Sequence, residues 1–273
     1  MSADSGSANR DGTTAEELLA EAAAVPMGGW DFSWLGSRMQ SEPPPWDYDT
    51  LVCAHADGSL DLLDLGTGGG EWLASLPCRP ARVVATEGYE PNFPLAAARL
   101  EPLGVALVRA DAPDNVDQEP GATEPRLPFD DQSFSLVVSR HESYLPAEIA
   151  RVLRAAGVFL TQQVGERNED DVHVLLGRRP PPPSGWTAEF AKRQLEATGL
   201  DVTRAEAAQV VTTFTDVGAL AWWLRMIAFS VRFSLERDRA RLVQLHESGT
   251  PLAIRERRFL VEARKPSRPS SGR

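Results

Sequence analysis

Several residue types that build ligand sites are scarce in this chain. Of its 273 residues only two are cysteine and four are histidine. Cys53 and Cys78 are too few for a disulfide framework or a cysteine metal site, so both are expected as small core thiols of a reducing cytoplasm. His55, His141, His173 and His246 have no cysteine or acid at ligand spacing, and no metal is expected. Long apolar runs are missing too. The best candidate, Leu220 to Phe233, carries Arg225 and Arg232 and is too short to span a bilayer. The N-terminus lacks a basic-then-apolar leader. A soluble cytoplasmic protein with no membrane partner is therefore expected. Excess positive charge is also lacking. A formal net charge of -11 excludes a general phosphate-binding surface, so no nucleic-acid partner is expected. The charge is uneven, because Trp223 to Arg273 holds 12 basic and 5 acidic residues. That stretch reads as solvated helix and strand faces, with a site for an anionic substrate or RNA as the minority reading.

What the sequence does contain is organised around Leu62 to Glu71. Leu62-Leu63-Asp64-Leu65 reads as a short buried strand. Gly66-Thr67-Gly68-Gly69-Gly70 allows a tight turn, and Glu71-Trp72-Leu73-Ala74 opens a helix. Such a turn brings backbone N–H groups close to a ligand with no Cβ in the way. The dinucleotide pattern places its third glycine where Glu71 stands, which disfavours a nicotinamide cofactor. Val83 to Glu87 reads as a second strand ending in an acid, and Glu87 follows Asp64 at the distance that places a carboxylate on a ribose diol. Ala106 to Asp111 is a third such strand. Leu127 to Ser139 is a turn feeding a fourth, and Val158 to Val164 is a fifth after Gly157.

As an ordered set, from about Leu60 to Gly165, these pieces resemble the class I S-adenosylmethionine-dependent methyltransferases, in particular the small-molecule group called type 11. The resemblance implies an α/β fold: a Rossmann-like doubly wound seven-stranded sheet, mostly parallel with an antiparallel last strand, carrying N-terminal and late helical lid segments. It implies S-adenosyl-L-methionine as cofactor. Asp64, Gly66, Thr67 and Gly68 match the motif that holds its methionine end. Glu87 matches the ribose acid, Gly88 and Tyr89 lie where adenine is expected, and Asp111 and Ala112 match the adenine contact. Ser139 is added as a cofactor contact after the fourth strand. The turn before strand five departs from the family's Pro-Gly-Gly and is Ala155-Ala156-Gly157.

Around this core, residues 1–12 are expected as a disordered tail and 13–56 as an N-terminal helical cap opened by the capping-box spacing of Thr13 to Glu16. Residues 57–265 form the methyltransferase domain, with a helical insertion at about 216–248, and 266–273 form a second tail. Val217 to Phe233 is apolar nearly all round, so it is buried or covered by a second copy, with the oligomeric state open. Methyl transfer from a sulfonium needs positioning more than a dedicated catalytic group. His141 is a candidate general base, weighed against a loop histidine that only shapes the pocket. Glu142 either holds that imidazole or caps the helix starting near Pro146. Arg140, His141 and Trp34 are the candidate contacts to a small-molecule acceptor, Trp34 as part of an aromatic lid. The alternative for the tryptophans outside the core is a satellite core between early and late helices. The competing functions are an RNA or protein methyltransferase and a non-catalytic binder of the same fold.

Overall fold

The structure is a computed structural model that describes residues 12–28, 30–110, 126–227 and 231–267. In chain order it contains α1 (Ala15–Ala24), β1 (Met39–Ser41), α2 (Tyr48–Ala56), β2 (Asp61–Leu65), α3 (Glu71–Ser75), β3 (Arg82–Glu87), α4 (Phe93–Leu100) and β4 (Ala106–Arg109). There follow β5 (Phe134–Arg140), α5 (Pro146–Val152), β6 (Leu153–Val164), α6 (Asp170–Leu175), α7 (Ala188–Glu196), β7 (Asp201–Phe214), α8 (Val217–Ile227), α9 (Leu235–Glu247) and β8 (Ala253–Arg264). The strand order is β1-β7-β8-β6-β5-β2-β3-β4. The chain divides into two compact units. One comprises Met1–Pro43, Arg167–Pro182 and Gln209–Glu256, and the other Pro44–Glu166, Pro183–Ala208 and Arg257–Arg273.

The second of these units carries the parallel strands. β2 pairs in parallel with β3 and β5, β3 with β4, and β5 with β6. β8 runs antiparallel to β6, as expected for the last strand. All five residues of β2 are buried, because a central parallel strand is covered on both faces. Its alternation sorts the core. Leu62 joins Leu136, Val138 and Leu160 in one cluster, and Leu63 and Leu65 join Val137 and Phe159 in the other, as a period of two requires. The expected turn before strand five is absorbed into β6, which starts at Leu153. The irregularity there shows as a register shift between Phe134 and Leu136 and a left-handed Ala156.

Two expectations change. Among the described residues the sheet has eight strands instead of seven. The addition, β1, is a three-residue strand antiparallel to the end of β7, too short to show an alternating pattern in the sequence. The cysteines are not free: Cys53 on α2 and Cys78 beyond α3 form a disulfide, with Cα atoms 5.3 Å apart. Composition counted the thiols but was blind to the packing of α2 beside the segment after α3, which brings the two Cα atoms within bridging range.

The other unit packs α1, α6, α8 and α9 around one cluster. α1 is capped one residue later than its sequence suggested, by the reciprocal bonds of Thr14 and Glu17. Val217 to Leu224 and Met226 of α8 are buried, so the helix that is apolar all round forms the unit's centre. Trp34 packs on Trp222 with ring centroids 5.4 Å apart and lies under the Arg38 guanidinium. Arg38 donates to both carboxylate oxygens of Asp216, at 2.9 and 2.6 Å. Among the described residues no helix is long and apolar enough to cross a membrane.

Candidate active site

The glycine turn leaves β2 at its carboxyl end and is held by the neighbouring strand. Thr86 of β3 accepts the Gly66 N–H on its hydroxyl at 3.1 Å and the Thr67 N–H on its carbonyl at 2.8 Å. Gly66, Gly68 and Gly70 have φ of 64°, 62° and 79°, conformations in which a Cβ is strained. At Gly66 the lack of a side chain also makes room. An added Cβ would fall 2.1 Å from Cγ of Glu142, so the Glu142 side chain lies directly against the turn. Glu71 opens α3 and forms an ion pair with Arg99 at 2.8 Å, occupying the place of a third dinucleotide glycine.

Asp64 is 1 % exposed. Its Oδ2 and the Oγ1 of Thr67 are buried without a hydrogen-bond partner among the described residues. Burial pushes the Asp64 carboxyl up to about 7. The nearby Thr67 hydroxyl and Arg140 pull it down without prevailing, and Glu142 and Glu87 push it further up. The Thr67 hydroxyl is near enough to act on this charge but is outside hydrogen-bond geometry. A buried acid with an orphaned oxygen, beside a turn of left-handed glycines, suits a cationic ligand.

Glu87 ends β3 with 5 % exposure, and its Oε1 accepts the Tyr89 N–H at 2.7 Å. Gly66, Glu87, Gly88, Tyr89, Glu90, Ala110 and Glu142 line a cavity of about 320 Å³. The structure thus brings Gly66, Glu87 and Gly88 to one crevice at the strand tips, as the topology demands. Tyr89 is 64 % exposed at its rim. Asp111 and Ala112 lie outside the described residues.

Ser139, at the end of β5, is fully buried and its hydroxyl is committed. It donates to the Glu142 carbonyl at 2.8 Å. Gln163 also donates to that carbonyl, at 2.8 Å. Ser139 therefore shapes the turn that carries residues 140 to 142. The helix that Glu142 was expected to cap, α5, begins without a side-chain cap. The Arg140 guanidinium stands 5.8 Å over the Trp72 ring. Trp34 belongs to the helical unit's cluster, packed on Trp222.

His141 follows β5 with φ of 64°, a left-handed conformation uncommon for a residue with a side chain. Its N–H donates to the Gln162 carbonyl at 2.7 Å, and its Nε2 lies 3.1 Å from the Gln162 side-chain nitrogen. Gln162 Oε1 accepts the Trp46 indole N–H at 2.7 Å. Part of His141 stays open to solvent. The protein around its ring nevertheless holds the imidazole well below its ordinary range, with Arg258 and Arg140 adding to the effect. Sequence reasoning passed over Gln162 and took Trp46 only as one of the tryptophans of a lid or satellite core. The available signal was a pair of adjacent glutamines, Gln162 and Gln163, at the end of a largely apolar strand whose tip faces the ligand end of the sheet.

Residues 63–161 match a family model described as a methyltransferase domain. Three solved structures share the fold. A candidate methyltransferase of Bacillus halodurans C-125 is 20% identical, covering 80% of this chain and 99% of that one, with a TM-score of 0.54. A protein of Deinococcus radiodurans R1 described as functionally unknown is 17% identical over 83% and 90% of the chains, with a TM-score of 0.50. The YcgJ protein of Bacillus subtilis is 16% identical over 81% and 98%, also with a TM-score of 0.50. No curated protein matches the chain.

Family model, strand order and glycine turn agree on a Rossmann-like methyltransferase fold. The matched segment runs from β2 into β6 and holds the whole of the crevice described above.

Proposed function

We propose that the chain transfers a methyl group from S-adenosylmethionine to an oxygen or nitrogen of a small-molecule acceptor. The observation that carries this reading is the buried, unsatisfied Asp64 beside the left-handed glycine turn, whose Gly66 lines a crevice together with Glu87. Asp64, Gly66, Thr67 and Gly68 would hold the methionine end, Glu87 the ribose hydroxyls, and Gly88 and Tyr89 the adenine. When bound, the cofactor would supply the electrophilic methyl group. The chain's own residues bind, orient and exclude water.

Charge supports a small acceptor over RNA. The basic C-terminal stretch is largely spent within the protein. Arg255 pairs with Asp171 at 2.7 Å, Arg264 with Glu262 at 3.2 Å, and Arg239 with Glu16. The cytoplasm, which supplies the cofactor, is the proposed compartment, and the Cys53–Cys78 bridge is the feature that weighs against it.

The test is transfer of radiolabelled methyl from S-adenosylmethionine to a panel of phenols, carboxylic acids and amines, beside bulk RNA and denatured protein. Label in the small-molecule fraction supports the proposal. Label confined to RNA or protein, or cofactor binding with no transfer to any acceptor, contradicts it.

A further inference from the structure

Histidine can present a proton from either ring nitrogen, and the neighbours decide which. At His141 two donor rules fix the choice. An indole N–H only donates, so the Gln162 atom 2.7 Å from Trp46 Nε1 is the amide oxygen. That turns the amide nitrogen towards His141, where it lies 3.1 Å from Nε2. An amide nitrogen also only donates, so Nε2 must accept, and the ring proton sits on Nδ1. Trp46 is 4 % and Gln162 5 % exposed, so neither group has water as an easy substitute. Gln162 is placed opposite Arg140 in the β5–β6 register, and its carbonyl holds the His141 N–H. The same residue thus fixes the backbone and the ring.

This arrangement is a poor one for a base, because the basic nitrogen is already engaged. It is a good one for a donor. Nδ1 has no hydrogen-bond partner among the described residues, and part of His141 is open to solvent. The surroundings are cationic. Arg258 and Arg140 both act on the imidazole, and Arg140 has no carboxylate within ion-pair distance among the described residues.

We propose that Trp46 and Gln162 lock His141 as a neutral Nδ1–H imidazole that donates a hydrogen bond to an anionic methyl acceptor, a carboxylate or an acidic phenol or enol, instead of removing its proton. Gln162 and Trp46 are positioning residues, and His141 touches the acceptor. An acceptor that arrives as an anion has no proton to lose, so no base is needed. The identity of the ligand rests on the methyl-transfer reading of this site, and the tautomer does not.

The tautomer is measured on the cofactor-free protein by long-range proton–nitrogen correlation NMR at pH 7, with His141 assigned by its loss in His141→Asn. A pyridine-type Nε2 and a pyrrole-type Nδ1 are expected, and Gln162→Leu should shift the ring towards Nε2–H. An Nε2–H or doubly protonated ring in the wild type overturns the proposal, whatever the enzyme's activity. Turnover on the acidic members of the acceptor panel is the second readout. Asparagine carries a donor near the Nδ1 position and tolerates the left-handed backbone. His141→Asn should fall by no more than about tenfold, while His141→Gln and His141→Ala fall by roughly 100-fold, the scale of a lost oxyanion donor. Unchanged cofactor affinity in all three shows that the fold is kept. An equal loss in His141→Asn and His141→Ala contradicts the donor role. If the wild type methylates nothing, the enzymatic reading fails while the NMR result still decides the tautomer.

Discussion

The side chain of Glu142 lies against the backbone of Gly66, so closely that a Cβ on Gly66 would fall 2.1 Å from Glu142 Cγ. The tip of β5 and the tip of β2 therefore share one small volume, which is also a wall of the crevice.

Gly66→Ala should disturb that volume in two ways. It places a Cβ at φ of 64°, at about 1 kcal/mol, and it displaces Glu142. Cofactor affinity should fall at least about tenfold, with only a few degrees lost in melting temperature. Isothermal titration and thermal denaturation of the same sample check this. Glu142→Ala added to Gly66→Ala should recover part of the affinity, since the collision then disappears.

Asp64 predicts an unusual pH dependence. In the unfolded chain its proton leaves near 3.8, and in the folded, ligand-free protein near 7. Between these values the folded state holds more protons, so stability contributed through Asp64 falls as pH rises from about 4 to 7 and stays low above that. Asp64→Asn should therefore raise the melting temperature at pH 8 and leave it nearly unchanged at pH 4. An equal effect at both values would contradict a buried, neutral-prone carboxyl.

The Cys53–Cys78 bridge joins α2 to the chain beyond α3 and closes a loop of 25 residues. Loops of that size are stabilised by about 2–4 kcal/mol. Dithiothreitol, or Cys53→Ser with Cys78→Ser, should lower the melting temperature by roughly 5–15 °C. Mass spectrometry of alkylated protein without reductant should find no modified cysteine. Two alkylated thiols in protein purified from an oxidising medium would contradict the bridge.

The parallel core was legible in the sequence because that part of the chain is written in local terms. A strand buried on both faces reads as Leu62-Leu63-Asp64-Leu65, and a turn of left-handed residues reads as glycines. An acid at the next strand tip reads as Glu87. Relations between distant segments were not legible. The Cys53–Cys78 bridge depends on how α2 packs, and β1 is a short edge strand specified by its partner β7. Glu142 took neither expected role as cap nor revealed its place against Gly66. The Trp46–Gln162–His141 chain links residues from three segments, and of these only His141 stood out in the sequence. Trp34, read as a lid residue, packs on Trp222 in the helical unit, a contact that an aromatic count does not distinguish from a lid.

Titration of S-adenosylmethionine into the wild type, Asp64→Ala and Gly68→Arg tests the central claim most directly. The account predicts saturable one-to-one binding by the wild type and a loss of about 100-fold or more in both variants, since one removes the buried acid and the other puts a large side chain on the glycine turn proposed to hold the ligand. No binding by the wild type, or undiminished binding by both variants, would contradict it.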